Sequence, residues 1–424
     1  MKMMLDLIYE HKMGHRVGIY ATCSAHPLVI EAALLQGKKD NSIVLIEATS
    51  NQVNQYGGYT GMLPADYIAL VYRIAEKIGF KKNKILLGGD HLGPNCWQKL
   101  PAQEAMEKSK VLIESYINAG FRKIHLDCSM SCAGDPVPLN DEIIAERAAI
   151  LCQVSENAWK AVGGEAPIYI VGTEVPVPGG AQESLSDELT LTTVSDARNT
   201  LVIHNAAFKA LNLDQAWSRV VGLVVQPGVE FDHHKVIHYN SNKAEQLSQF
   251  IESQPAIVYE AHSTDYQTED AYKKLVNDHF AILKVGPALT FALREAVFGL
   301  DAIERIWMGE NKASQVRAIL NQVMTESPNY WTGYYAEGEH LLLDQEFSFS
   351  DRSRYYWPNA NVEDAMQKMT SNLTRSPAPL TLISQYLPIQ YKAICNGEIE
   401  NTPHAIILHK IMEVSHVYNA ACGH

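Results

Sequence analysis

Asp90 and His91 stand side by side after the apolar run Leu86-Leu87-Gly88-Gly89. Adjacent side chains at the end of a strand can divide two jobs, the imidazole holding a divalent metal and the carboxylate moving a proton. The same residue types serve equally as a loop cap and its hydrogen-bonding partner, so the pair acquires meaning only from what converges on it. Glu174 and His262 follow other apolar runs. With His91 they make a nitrogen and oxygen set of the kind zinc, or another divalent ion, accepts with one position open to substrate. Glu260 and Asp127 offer further carboxylates for proton transfer, and Ser24, His26, Glu47, Asn51 and Gln226 are side chains suited to sugar hydroxyls. Lys284 fits a substrate phosphate, a Schiff base or an ion pair with a neighbouring carboxylate, and the non-covalent roles are favoured.

These residues share a position. Each follows or ends one of eight short β-branched runs, at 17–20, 43–46, 84–87, 123–126, 168–171, 220–225, 256–259 and 281–285. Helical periodicity fills the intervals: 27–35, 64–78, 102–119, 141–153, 196–211, 242–253, 268–278 and 288–300. Strict alternation of strand and helix predicts a parallel sheet, and eight units over about 270 residues predict an α/β fold of the (β/α)8 TIM barrel type. An open doubly wound sheet would call for a glycine fingerprint after the first strand, and Cys23-Ser24-Ala25-His26-Pro27 has none. In a barrel the carboxyl ends of all strands meet on one rim, which would bring the residues above together. The barrel is expected over residues 1–300. A Tyr/Trp-rich, mainly helical extension is expected over 301–424, either capping the barrel or contacting another subunit, which leaves a homo-oligomer open.

Composition narrows the partners. The chain has 424 residues, 46% of them hydrophobic, enough for a large core. With 35 Lys and Arg against 48 Asp and Glu, and no basic cluster, the net charge of −13 disfavours nucleic acid. No apolar run reaches membrane-spanning length, and Glu10, His11 and Lys12 interrupt any secretory core near the start. Seven cysteines, an odd number spread widely, suit reduced thiols and a cytoplasmic location. Cys128 and Cys132 lack a second pair for a structural zinc. The glycine-rich segments Gly57-Gly58-Tyr59-Thr60-Gly61 and Gly179-Gly180 could offer N–H groups to phosphate, but neither is a P-loop. Cys132-Ala133-Gly134-Asp135 superficially resembles the anion hole of ribokinase-type sugar kinases, yet Pro136 and Pro138 remove donors and oppose a helix start.

Longer strings carry a family resemblance. Cys23-Ser24-Ala25-His26-Pro27-Leu28-Val29, Ile46-Glu47-Ala48-Thr49-Ser50-Asn51-Gln52-Val53, Gly88-Gly89-Asp90-His91-Leu92-Gly93-Pro94-Asn95 and His125-Leu126-Asp127-Cys128-Ser129-Met130-Ser131-Cys132 are four of them. Gly172-Thr173-Glu174-Val175-Pro176-Val177-Pro178-Gly179-Gly180, Glu260-Ala261-His262-Ser263-Thr264-Asp265-Tyr266-Gln267 and Leu283-Lys284-Val285-Gly286-Pro287 continue the series, which runs on to Ser384-Gln385-Tyr386-Leu387-Pro388. They resemble the GatZ/KbaZ family, and Cys128 with Gly180-Ala181 is nearer the KbaZ (AgaZ) wording of galactosamine and N-acetylgalactosamine breakdown than the galactitol branch. The resemblance implies the Z subunit of a class II D-tagatose-1,6-bisphosphate aldolase, inactive alone and supporting a separate catalytic Y subunit. It also implies a distant likeness to catalytic class II aldolases, in which Asp90-His91, His262 and Lys284-Val285 match the Asp-His pair, a later zinc ligand and the last-strand Lys-Val-Asn. Gly286 replaces that Asn, and Glu174 stands where Ala-His is expected, so the implied zinc set is altered. Related sequences epimerise ketohexoses or their phosphates at C4, which implies an alternative: a metal-dependent 4-epimerase interconverting fructose 6-phosphate and tagatose 6-phosphate. Members have also been labelled tagatose 6-phosphate kinases, a reading that the absent phosphate loop opposes. A phosphorylated ketohexose is the expected ligand in the first two readings, with its phosphate near Lys284 and Gly286.

Overall fold

Short runs rich in aliphatic residues, each followed by a helix, bury themselves best as neighbours in a parallel sheet with helices outside. A computed structural model describes residues 1–176, 179–181, 185 and 189–424. In it the runs become β1 (Ile19–Cys23), β2 (Val44–Thr49), β3 (Ile85–Leu92), β4 (Lys123–Leu126), β5 (Ile168–Val171), β6 (Val220–Val224), β7 (Val258–Ala261) and β8 (Ile282–Val285). Each pairs in parallel with the next, and β8 returns to β1 through Ile282 opposite Ile19 and Lys284 opposite Ala21. The sheet is therefore a closed (β/α)8 barrel. A two-stranded antiparallel ribbon, Glu230–Phe231 with Val236–Ile237, lies outside it in the loop after β6.

The eight helices that follow the strands are Pro27–Lys39, Pro64–Ile78, Ala102–Ala119, Asp141–Val162, Val194–Ala210, Ser241–Glu252, Glu269–Asn277 and Pro287–Met308. Their starts obey local chemistry. The side chains of His26, Asn140, Thr193, Asn240 and Thr268 accept N–H groups of the first turn, and proline opens the helices at 27, 64 and 287. The last of the eight continues through residue 300 without a break.

Inside the lower half of the barrel, Ile19, Leu45, Leu86, Ile168, Ile170, Val258 and Ile282 form an apolar plug. The N-terminal helix Lys2–Lys12 closes that end by laying Met4, Leu7 and Ile8 against it. A second apolar shell lies between the strands and the outer helices. Beyond residue 308 the chain is helical and irregular. Its final helix, Pro403–Ala421, packs against Pro27–Lys39, Glu269–Asn277 and Pro287–Met308, with Tyr418 Oη 3.0 Å from Thr264 Oγ1. The aromatic segment before it turns back to the opposite end of the barrel from the N-terminal helix: Tyr330 stacks on Tyr355 at 4.8 Å, and Tyr355 packs on Tyr59 of the loop after β2 at 4.5 Å. Among the described residues no helix is long and apolar enough to cross a membrane.

Candidate active site

Alternate residues of a barrel strand point inward. Along β4 that rule sends Lys123 and His125 to the interior, followed by Asp127, while Ile124 and Leu126 join the outer apolar shell. Glu260 and His262 alternate likewise on and just after β7, with Lys284 on β8, Cys23 on β1, Glu47 on β2 and Asp90 on β3. The register lines up Cys23 with Glu47, Glu47 with Gly88 and Gly88 with Lys123. Gly88 leaves space that Glu47 takes: a Cβ there would lie 2.5 Å from Glu47 Oε1. The upper half of the barrel is thus filled with ionisable side chains where the lower half holds aliphatic ones.

They form one network. Lys123 Nζ lies 2.6 Å from Glu47 Oε1 and 2.6 Å from Glu260 Oε2, with all three side chains fully buried. Lys284 Nζ pairs with Glu47 and lies 3.0 Å from Asp90 Oδ1. Asp90 Oδ1 also accepts from His125 Nδ1 at 2.9 Å, and Asp127 Oδ2 accepts from His91 Nδ1 at 2.7 Å. His262 Nε2 meets Glu260 Oε1 at 3.1 Å. Burial opposes every one of these charges, and the neighbours decide the outcome. His91 and His125 hold Asp90 well below the usual carboxylate range, Lys123 and His262 do the same for Glu260, and His91 does so for Asp127. Against its own burial, His91 is raised to about 9 by Asp90 and Asp127. Burial prevails at Lys284, drawn down to about 8, and at His262, which is also lowered.

Consecutive strand residues normally face opposite sides, yet Asp90 and His91 both face the cavity. The backbone makes this possible. The register between β3 and β4 shifts between Gly89 and Leu92, and His91 adopts a left-handed φ of 48°. Ser50 braces the distortion, its N–H donating to the Asp90 carbonyl at 3.1 Å and its hydroxyl to the His91 carbonyl at 2.7 Å. Ser263, next to His262, is also left-handed at 53°.

The rings of His91, His125 and His262 face one another with centroids 5.0 to 5.3 Å apart. Carboxylates engage Nδ1 of His91 and His125, and Nε2 of His125 is buried without a hydrogen-bond partner. Asp90, His125, Glu260 and His262 each present a ligand atom within 4.8 Å of the others. This buried group could hold a metal ion, with the carboxylates fixing the imidazole tautomers from behind.

Above it opens a cavity of about 200 Å³. Asp90, His91, His262, Lys284, Ser24, His26 and Asn51, all expected from sequence, line it. Glu47, Glu260 and Asp127 lie behind that lining, in the network. Gln226 and Glu174 stand apart from the cavity. Gln226 Oε1 accepts from the N–H groups of Gly228 and Val229 and shapes its own loop. Glu174 is exposed three residues beyond the end of β5, accepting from Thr192 Oγ1. Neither phosphate contact expected near β8 is free, because Lys284 is engaged by carboxylates and the Gly286 N–H donates to Asp265 Oδ1 at 3.1 Å. Gly179 and Gly180 line the cavity, whereas Val177 and Pro178 of that string lie outside the described residues. Asp135 of the kinase-like string forms a double hydrogen bond to Arg147, 2.8 Å each, away from the cavity. Sequence reasoning passed over His125 and Lys123, and also Arg354, Tyr355 and Trp357, which roof the cavity from the C-terminal segment.

Fold and cavity together define a (β/α)8-barrel protein whose candidate site lies at the carboxyl ends of its strands. The chain belongs to the family described as D-tagatose-1,6-bisphosphate aldolase subunit GatZ/KbaZ-like, which matches residues 4–423. It is 54% identical over 421 residues to the D-tagatose-1,6-bisphosphate aldolase subunit GatZ of Escherichia coli strain SMS-3-5 / SECEC, covering 99% of this chain and 100% of that protein. The protein of the same name from Escherichia coli O7:K1 strain IAI39 / ExPEC matches with the same identity and coverage. Both bear the GatZ rather than the KbaZ name. A solved structure described as a "probable tagatose 6 phosphate kinase" from Sinorhizobium meliloti 1021 is similar at 47% identity and a TM-score of 0.88, over 96% of this chain and 100% of that one.

Replacing Lys123 with Met removes the charge between Glu47 and Glu260 and leaves two buried carboxylates facing each other. Breaking a buried ion pair from one side costs roughly 3–5 kcal/mol; a loss of that size is expected in urea unfolding. A second test concerns Glu230 on the outer ribbon, whose carboxyl is raised to about 7 by burial, reinforced by Asp265 and Asp232. The folded state holds that proton more tightly than the unfolded chain, whose glutamates titrate near about 4.3. Stability contributed by the protonated form is complete below the unfolded value and declines as pH rises to about 7. Glu230→Gln should therefore raise the melting temperature relative to the parent more at pH 8 than at pH 5.

Proposed function

We propose that this chain is the Z-type subunit of a cytoplasmic D-tagatose-1,6-bisphosphate aldolase, acting with a separate catalytic Y subunit, and that its barrel mouth takes a phosphorylated ketohexose. The observation that carries the reading is the end-to-end match to proteins named as that subunit. All seven cysteines are unpaired, which suits a reducing compartment.

Zinc or a similar divalent ion would be held by His91 and His262, with His125 as the third nitrogen donor in place of the exposed Glu174. The orphaned Nε2 of His125 and the carboxylates on the other edges of two rings support that choice. Such an ion supplies Lewis acidity toward a ketose carbonyl or hydroxyl. The chain's own groups do the rest. Asp90 is ionised and lines the cavity, where it can accept a proton from a sugar hydroxyl. Lys284, lowered to about 8, sits beside it as a cation that can return one.

One specific observation favours a second reading, catalysis by this chain itself as a ketohexose-phosphate 4-epimerase: the acid–base groups enter this chain's own cavity, and a pure scaffold needs none of them there. In that reading Asp90 takes the C4 hydroxyl proton during retro-aldol cleavage, and re-addition on the other face inverts C4.

Co-expression with the catalytic subunit should raise that subunit's aldolase activity and melting temperature, because a partner that binds the folded form stabilises it. Unchanged activity and melting temperature would contradict the subunit reading. In the same preparations, epimerisation by this chain alone would be lost about 10²- to 10⁴-fold in Asp90→Asn with folding intact. Absence of interconversion by the metal-replete native chain removes the second reading and leaves the first.

A further inference from the structure

Phosphate in (β/α)8 barrels commonly binds at the loop and helix N-terminus after the last strands. Here that place is taken from within. Asp265 Oδ1 accepts the N–H of Gly286 at 3.1 Å and the N–H of Ala288 at 2.8 Å, so a side-chain carboxylate sits where a ligand anion would. Lys284 is committed to Glu47 and Asp90, and Lys123 is sealed beneath. A phosphorylated ligand must find its counter-charge elsewhere in the cavity.

Arg354 meets that need. It belongs to the short helix Arg352–Tyr355 in the C-terminal segment and lines the cavity. Its Nη1 donates to the Ser350 carbonyl at 2.8 Å and its Nη2 to Tyr355 Oη at 3.2 Å. Those bonds orient the guanidinium without neutralising it, and no carboxylate among the described residues forms an ion pair with it. Its remaining three N–H donors have no protein partner among the described residues. Gly179 faces the group so closely that Arg354 Nη2 occupies the position a Cβ would need. The neighbouring hydroxyl of Tyr355 registers the positive field: although burial opposes ionisation, Arg352 and Arg354 draw it down to about 8.

We propose that Arg354, oriented by Ser350 and Tyr355, anchors the terminal phosphate of the sugar ligand. The C-terminal segment then completes the binding site and selects phosphorylated over free ketohexoses. This rests on the reading that the cavity takes a ketohexose phosphate, and it identifies the group that recognises the phosphate. A guanidinium with three donors unpaired among the described residues suits a phosphate monoester, whose oxygens accept several charge-assisted hydrogen bonds.

Calorimetric titration of the full-length, metal-replete protein with fructose 6-phosphate and with fructose tests this. The native chain should prefer the phosphate ester by roughly ten- to a hundredfold, the scale of hydrogen bonds to a charged group. Arg354→Gln should abolish that preference while leaving the affinity for fructose and the melting temperature unchanged, and Arg354→Lys should restore part of it. Equal affinity of the native chain for the two sugars overturns the proposal, as does a preference that survives in Arg354→Gln. Should Arg354→Gln lower the melting temperature, the comparison passes to Arg354→Lys and Tyr355→Phe, and a native preference retained in both overturns the proposal. The subunit reading fails separately, through the co-expression measurement, which does not depend on this titration.

Discussion

Two lysine ammonium groups lie inside the barrel with almost no access to water, and their charge has to be answered there. Lys123 is held between Glu47 and Glu260, and Lys284 between Glu47 and Asp90. These contacts join β2, β3, β4, β7 and β8 across the barrel interior, so the position of each carboxylate is set by groups on other strands. Consequences run upward from there. Asp90 also receives His125, Glu260 also receives His262, and Asp127 holds His91. The three imidazoles owe their orientation to carboxylates, two of which the lysines fix.

Such a network is a poor device for stability alone, because well-packed apolar side chains in its place are often neutral or stabilising. The lower half of the same barrel is built that way, with Leu45 and Leu86 in register on the strands that carry Glu47 and Asp90 above. The upper half carries a desolvation cost and, at His91, backbone strain braced by Ser50. Cost and strain sit at the cavity floor, the place where preorganised charges would act on a ligand without reorganising under the proposed function. The roof is a separate invention of the C-terminal segment: Tyr59 of the barrel meets Tyr355, whose neighbour Arg354 brings positive charge to the cavity wall.

The barrel was legible because its determinants are local. Eight β-branched runs, helix-capping residues such as Asn140, Thr193 and Thr268, and prolines at helix starts mark the elements without reference to anything distant. The strand ends were legible for the same reason, which is why Asp90, His91 and His262 could be named. Register was not legible, and it decides the rest. Lys123, His125 and Asp127 alternate with Ile124 and Leu126. That alternation signals a strand polar toward the barrel and apolar toward its helices, but read as a hydrophobic run it hid both the central lysine and the third imidazole. Glu174 departs in the opposite sense: β5 ends at Val171, and although Val175 and Pro176 turn back toward the barrel mouth, the Glu174 side chain between them and the strand is exposed and held by Thr192. Arg354 had no signal of its own, since only the return of the aromatic segment over the mouth brings it to the cavity.

The central claim is that the buried lysine–carboxylate network orients His91, His125 and His262, whose rings lie 5.0 to 5.3 Å apart, around the one proposed metal position. Diffraction from zinc-loaded crystals, measured on both sides of the zinc absorption edge, tests it directly. The account predicts one anomalous peak inside the barrel, bounded by those three imidazoles and lost in His125→Ala. A peak at Glu174, or no peak within the barrel under zinc-replete conditions, would contradict it.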